Sequence, residues 1–465
     1  MNGKPLTYDS LKTVILYMDP NTRILLSSRI PSIRIVEKRV PLRIKELELG
    51  DHRIRVNGTS YSFEVYQMDG TKNVPDKVSG RSKLNNKDVC DVDEFGIRDY
   101  ITRAGGMLPG NNGLVEQNLF GEYDRENIPS NEGRLERLEK LLEVEKQRYN
   151  QLLNYCPRFN PNGRNNNIFQ FMSICQIRRG RSYNQEELEL LENEEMVKKA
   201  VELTKERIER MKRELLPFEN KRYNFRPKFE IHILKGRGIV ANHLIERINY
   251  TGDLHKAGEY LIGVMFGKRR DFQTNLLKIN LKCKPRFPPS LKMKVKRLFF
   301  HGEEPLDLDL LRPVIDESSI PIEQIAILKG HLNPQEINHE LIENCQFLEL
   351  SGNIEMAFGC LPILRNQKVH IQIRDLYAES HLFITLIRNW IATNKPIGTY
   401  YLFSTINAQP SASEVLNFVK NQFEGSLFFI DYVDIPMANG VVRIGYERDG
   451  SCYLVKMPER QLFLM

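Results

Sequence analysis

None of the seven cysteines, at positions 90, 156, 175, 283, 345, 360 and 452, stands in CxxC spacing with another. An odd number without paired spacing fits neither a disulfide framework nor a zinc module, so a reducing compartment is the simplest expectation. No run approaches the ~18 apolar residues that a membrane span requires. The N-terminus carries no basic-apolar-small signal pattern. Together these point to a cytoplasmic or nuclear protein with no membrane partner. Neither sign of charge dominates: 67 Lys and Arg stand against 60 Asp and Glu, a net +7 over 465 residues, too mild to imply nucleic acid by itself.

Catalytic signatures are missing too. The stretch KGRGIV at 235–240 has neither the third glycine of a dinucleotide loop nor a trailing Gly-Lys-Ser/Thr. Glu303-Glu304 and Asp307-Asp309 lie in a polar connection and read as solvation. His331, His339 and Cys345 are spaced so that one helix face cannot present them together, and no metal site is expected. No nucleophile is flanked by a recognisable elbow, although a Ser-His-Asp site assembled from distant positions would leave no local trace. The expectation is a non-enzyme without metal or cofactor.

What the chain does have is local structure. Leu11, Val14, Ile15 and Met18 keep the three-four spacing of a helix face. Asp19-Pro20 can cap and start a second helix, with Ile24 and Leu25 facing inward. Pro31 starts a third, with Ile33 and Val36 apolar, and Pro41 closes it. Such a small module must pack on the rest of the chain or on a partner. Residues 52–66, HRIRVNGTSYSFEVY, read as a β-hairpin turning at Asn57-Gly58, and the glycosylation sequon they contain is taken as chance.

From 69 to 133 glycine, asparagine and aspartate accumulate without periodicity, which suggests a partly ordered linker. Residues 134–153 and 186–216 are charged amphipathic helices, the second ending at Pro217. A helical hairpin is favoured, with a parallel homodimer as alternative.

Beyond residue 228 the pattern turns to strand and helix. FEIHIL at 229–234, YLIGVMF at 260–266 and LLKINLKCK at 276–284 read as strands. Strands centred near Leu298, Ile325, Leu348, Ile371 and Leu402 then recur every 20–30 residues or so, the range of leucine-rich repeats. Helical patterns fall between them. Asn333-Pro334 and Ser411, each with a glutamate three residues after the cap, offer capping boxes, and Phe383 to Ile391 form a broad apolar stripe. Pro313 should shorten the helix at 305–318. The repeat lacks the Lx2LxLx2N signature, so the expectation is an irregular leucine-rich-repeat-like arc, with a layered α/β sheet as alternative. Asp449-Gly450 marks a last hairpin closing the sheet.

Leu6, Leu11, Ile15, Met18-Asp19-Pro20 and Ile24 to Ser28 resemble the F-box, the short helical motif that docks a substrate-selecting protein onto the Skp adaptor of cullin-RING ubiquitin ligases. The whole chain is similar to the nematode F-box C proteins, which carry an associated domain of unknown function. Segments like PLRIKELELGDHRIRVNGTSYSFEVYQ and the DVDEFG at 91–96 follow the box in that group. The third helix departs from the general motif, with Ile33 to Ile35 in place of its tryptophan.

The resemblance implies a non-catalytic substrate-recruiting adaptor. Its partners would be a Skp-type adaptor, met or supported by Leu6, Leu11, Ile15, Met18, Pro20 and Ile24, and an unknown target protein held by the C-terminal domain. The expected fold is α+β or α/β: an F-box-like helical module at 1–46, a hairpin and linker at 47–133, a charged helical hairpin at 134–217 and an α/β repeat-like domain at 228–465. The rivals are a coiled-coil scaffold and a nucleic-acid-binding protein. The latter would use Lys278, Lys282, Lys284, Arg286, Lys292, Lys294, Lys296 and Arg297, a run with no acidic residue. Lysines guarding an edge strand are the favoured reading of that run.

Overall fold

Three short helices open the chain, each started by a side chain or a proline suited to the task. In the computed structural model α1 (Tyr8–Tyr17) begins where the Thr7 hydroxyl accepts from the Ser10 N–H at 3.3 Å. Next, α2 (Pro20–Arg29) begins where the Asp19 carboxylate accepts from the Thr22 N–H at 3.1 Å, with Pro20 in the first turn; α3 spans Pro31–Arg39. Ile15, Val36 and Val40 form the module's own small core, with Leu11 and Ile33 packed against it. Strand β1 (Leu42–Gly50) follows Pro41, and β2 (Arg53–Val56) and β3 (Thr59–Met68) form the expected hairpin. Asn57 and Gly58 both take positive φ, 48° and 82°. The Asn57 side-chain oxygen also accepts from the Lys45 and Glu46 N–H groups at 3.0 and 3.1 Å, tying the turn back to β1.

The structure describes residues 7–50, 52–68, 76–77, 91–97, 131–157, 171, 181–238, 243–281, 286–301, 308–329, 337–352, 361–373, 380–393, 395–405, 412–437, 440–446 and 452–456. They fall into two units, one of residues 1–62, 234–244 and 255–465, the other of 63–233 and 245–254. The division expected at 46/47 therefore falls inside β1.

The second unit contains β4 (Asp76–Lys77), α4 (Asn131–Leu153), α5 (Gln185–Glu189) and α6 (Glu194–Arg222). Parts of β5 (Lys228–Arg237) and β6 (His243–Asn249) also belong to it. Leu138 and Leu142 of α4 pack on Ile208, Met211 and Leu215 of α6, while Leu152 clusters with Met196, Val197 and Ala200. The start of one helix meets the end of the other, so this is an antiparallel hairpin within one chain.

Two details differ from expectation. The second charged helix is broken at 190–193, where Asn193 caps α6 by accepting from the Met196 N–H at 2.8 Å. It then runs through Pro217 to Arg222, because burial of Leu215 and the Asn220 amide bond to the Phe95 carbonyl at 3.0 Å outweigh the backbone hydrogen bond that proline removes. Within the expected linker, Asp91 to Ile97 is a tight turn: the Asp93 carboxylate accepts from the Phe95 and Ile97 N–H groups at 2.9 and 2.8 Å.

In the first unit the chain continues with α7 (Leu254–Phe266), β7 (Phe272–Asn280), β8 (Lys294–His301), α8 (Leu308–Leu311) and β9 (Gln324–Lys329). Then come α9 (Glu340–Glu343), β10 (Leu348–Gly352), β11 (Lys368–Ile373), α10 (Ser380–Thr393), β12 (Tyr400–Thr405) and α11 (Ala412–Gln422). The last strands are β13 (Leu427–Phe428), β14 (Tyr432–Met437), β15 (Gly440–Tyr446) and β16 (Cys452–Lys456).

Residues 260–266, expected as a strand, lie in α7. A short apolar run carries no period that separates strand from buried helix, and here Met265 and Phe266 are buried beneath the helix. The expected box at Asn333 lies outside the described residues; His339 caps α9, its Nδ1 accepting from the Leu341 N–H at 3.1 Å. Residue 411 is also outside them. The described part of α8 ends at Leu311, ahead of Pro313.

The fold is mixed α/β. Strands β1, β7, β8, β9, β10, β11 and β12 lie side by side in chain order, each parallel to the next. At the far end β16 pairs antiparallel with β12, and β15, β14 and β13 continue outward. The pairing registers align Leu47, Leu277, Leu298, Ile325, Leu348, Val369 and Tyr401 in one row, all fully buried. At roughly 2 kcal/mol per buried aliphatic side chain, this row and the parallel one through Leu350, Ile371 and Phe403 are a principal source of the unit's stability.

One polar group closes the first unit. Glu37 of α3 is fully buried and accepts on Oε1 from Arg23 Nε at 3.1 Å and from Arg269 Nη1 at 2.7 Å. Arg23 further donates to the Pro41 and Val40 carbonyls, and Arg269 to the Met265 carbonyl at the end of α7. Burial, ahead of the neighbouring Arg269 charge, lowers the Arg23 pKa, and Glu37 opposes that shift.

Glu37→Ala would strand two buried cations, and urea unfolding is expected to show a loss of about 3–5 kcal/mol. Changing Glu37 and Arg269 together to methionine should cost less than the sum of the single changes.

Candidate functional site

Helix α10 decides which face of the sheet is covered. Trp390 packs edge-on against Tyr401 with ring centroids 4.7 Å apart, and Phe383 against Phe403 at 5.2 Å. Alternation along the strands then sends Glu349, His370 and Ser404 to the opposite face. There the side chains join across four strands. Gln324 Nε2 donates to Glu349 Oε2 at 2.9 Å, Glu349 Oε1 stands 3.7 Å from His370 Nδ1, and His370 Nε2 lies 2.9 Å from Ser404 Oγ. One row further along, Ser351 Oγ donates to Gln372 Oε1 at 2.9 Å. The Glu349 and His370 side chains are each 23% exposed, so this ladder is reachable from solvent.

Hydroxyl, imidazole and carboxylate in that order are the parts of a nucleophilic site. Two features argue against that chemistry. The imidazole-carboxylate gap of 3.7 Å is beyond hydrogen-bond range. Ser404 sits within β12, paired with Gln372 on one side and Cys452 on the other, so its strand offers no free pair of N–H groups for an oxyanion. The ladder is better suited to recognition: alternating donors and acceptors on a rigid, helix-backed face. It joins strands far apart in the chain, and only the 20–30-residue recurrence hinted at it.

The basic stretch is distributed differently from expectation. β7 and β8 lie inside the sheet, not at its edge, so edge protection is not the role of these lysines. Lys278 pairs with Glu46 at 3.1 Å, Lys294 with Asp271 at 3.2 Å and Lys296 with Glu323 at 3.7 Å. The acidic partners come from β1, the α7–β7 connection and the residue before β9, which a search for acids within 278–297 could not find. Lys292 and Arg297 are exposed, Arg286 is half-buried, and Lys282 and Lys284 lie outside the described residues.

In the N-terminal module Ile15 and Ile24 are buried, Leu11, Met18 and Pro20 are half-buried, and Leu6 is outside the described residues. Ile15 and Ile24 therefore support the module from within. Other apolar residues are exposed, among them Val14 and Tyr17, one turn apart on α1, at 46% and 84%, with Tyr8, Leu16 and Ile30 less so and Ile35 on α3 at 65%. The signal for them is that YDSLKTVILY is apolar on more than one helical face.

His339 and Cys345 do not assemble a metal site. His339 faces Asp309 and caps its own helix, while the thiol is buried beside Asn366, and His331 lies outside the described residues. Among the described residues no helix is long and apolar enough to cross a membrane.

Residues 253–407, from the start of α7 to the end of β12, match a protein family described as a domain of unknown function, DUF3557. No curated protein and no solved structure matches the chain.

Burial pushes the Cys345 thiol up to about 12, so it stays protonated at neutral pH, while Cys156 is exposed. Iodoacetamide at pH 8 is expected to label Cys156 within minutes and Cys345 only after denaturation, as read by peptide mass spectrometry.

Proposed function

We propose that the chain is a non-catalytic, substrate-recruiting adaptor of a cullin-RING ubiquitin ligase containing a Skp-type subunit. The N-terminal helices dock on that subunit, and the open face of the parallel strands receives a target protein. One observation carries the reading. Val14 and Tyr17 remain exposed on a helix whose other side is packed, in a module tethered through the buried Arg23–Glu37–Arg269 cluster. An apolar face on an anchored support suits docking, because binding then costs little ordering of the support. The F-box resemblance of residues 6–28 supplies the identity of the partner.

The strand array supports the second half of the proposal. Parallel neighbours in chain order are the arrangement of leucine-rich-repeat-like arcs, which present their strands as a recognition surface. Here that surface carries the Gln324–Glu349–His370–Ser404 ladder. The rivals draw less support. Lys278, Lys294 and Lys296 already have carboxylate partners. The apolar stripe of α4 is covered by α6 of the same chain, which leaves little for a coiled-coil partner.

A titration of the full chain with purified Skp adaptor tests the proposal. Val14→Asp with Tyr17→Asp should weaken binding at least tenfold, about 1.4 kcal/mol, with the unfolding midpoint unchanged. Absence of wild-type binding at roughly 100 µM, about 5.5 kcal/mol of affinity, or equal binding by the double variant, would refute it.

A further inference from the structure

Between α3 and α7 lies a cavity of ≈ 450 Å³ lined by Arg34, Lys38, Lys256 and Lys268 against a single carboxylate, Glu259, with Ser290 and Tyr260 among its other walls. We propose that this cavity binds a small phosphate-bearing molecule, its phosphate held by Lys38, Lys268 and Arg34.

Charge is the first ground. Arg34, Lys38 and Lys268 face a single carboxylate, Glu259, in the lining, and the cluster beside Lys38 adds to the excess, since Glu37 answers two buried guanidiniums, Arg23 and Arg269. Positive charge gathered in this way favours a compensating anion, most of all beside Lys38, which is partly withdrawn from water while Arg34 and Lys268 are exposed. The Lys38 ammonium feels this: burial, then the Arg269 charge, draws its pKa below the ordinary lysine value, with Arg34 and Lys268 adding to the effect and Glu37 opposing it.

The walls are the second ground. Lys38 Nζ is fixed by donating to the Gly267 carbonyl at 3.0 Å, which leaves other donors on the ammonium for a ligand. Arg34 is held by bonds from Nε to Ser27 O at 2.8 Å and from Nη2 to Ser28 O at 3.0 Å, so Nη1 is the group it can offer. A Cβ at Gly267 would stand 2.6 Å from the Gly263 carbonyl and 3.0 Å from Ser290 Oγ, so only glycine lets this wall close. Next to it, Lys268 adopts φ 58°, a conformation that non-glycine residues rarely take, and its N–H meets the Ser290 carbonyl at 3.4 Å. Side chains fixed by their own bonds around a cationic hollow are a preorganised anion site, and the volume is that of small-molecule pockets. Tyr260, 67% exposed, with Val264 and Pro288 offers an apolar surface for the body of an ester.

Inorganic pyrophosphate, titrated calorimetrically into the full chain at constant ionic strength, is the test. Saturable binding with a dissociation constant below about 1 mM is expected. Lys268→Glu, an exposed position whose change should spare the fold, is expected to weaken it at least tenfold, and Lys38→Met likewise. Lys140→Gln, on α4, should leave it unchanged. No saturation by about 10 mM, or equal affinity in wild type and Lys268→Glu, overturns the proposal. So does an equal response to chloride at the same ionic strength. None of these outcomes depends on whether the N-terminal helices meet a partner.

Discussion

Glu37 holds the first unit's beginning to its middle. Its carboxylate, fully buried, takes hydrogen bonds from Arg23 at the start of the chain and Arg269 past α7. Both guanidiniums also cap carbonyls, of Pro41 and Val40 in one case and Met265 in the other. Charges so deeply withdrawn are tolerated only when paired and hydrogen-bonded. The arrangement therefore constrains three things together: the angle of α3, the exit of the chain into β1, and the turn from α7 into β7. Those two strands pair over Leu42 to Gly50 and Phe272 to Asn280, and the parallel array starts from that pair.

From that start the array grows by repetition. Each later strand adds one residue to the row through Leu47 and Leu277 and one to the row beside it, and the helices cover those rows. The strand period of two does the rest. Whatever is apolar at one position leaves the next position facing away, and Gln324, Glu349, His370 and Ser404 meet there, Glu349 directly opposite His370 and the two outer contacts reaching two residues along the neighbouring strand. The polar ladder and the core are thus two consequences of one alternation, with the core supplying the stiffness that fixes the polar groups in place. The cavity beside α3 lies next to this clamp, and separate bonds, from Arg34 to the Ser27 carbonyl and from Lys38 to the Gly267 carbonyl, set the positions of its cations.

Local features were legible because their causes are local. Asn57-Gly58 demands a tight turn, Asp19-Pro20 starts a helix, and strands with apolar centres at Leu298, Ile325, Leu348, Ile371 and Leu402 were readable from composition and spacing. Where the reading failed, distant contacts had outweighed local preference. YLIGVMF became helix because burial decided between two periods that a short apolar run satisfies equally. Pro217 stayed inside α6 because Leu215 and Asn220 had partners beyond it. The basic run seemed unpaired because Glu46, Asp271 and Glu323 are remote in sequence or outside its limits. Of the candidate docking residues, Ile15 and Ile24 proved to be interior, since an apolar stripe does not say whether it faces its own chain or another.

By itself, then, the sequence determined the type and approximate place of most elements, the turn chemistry, and the absence of familiar catalytic signatures. Those depend on residues within a few positions of one another, where steric preference and hydrogen bonding act on the chain directly. The tertiary structure alone decided that β1 pairs with β7, that one sheet face carries a Gln-Glu-His-Ser ladder, that Glu37 joins two arginines, and that cations gather around a hollow beside α3. Each of these depends on burial and register between segments far apart in the chain, whose energy arises only when the packed whole excludes water.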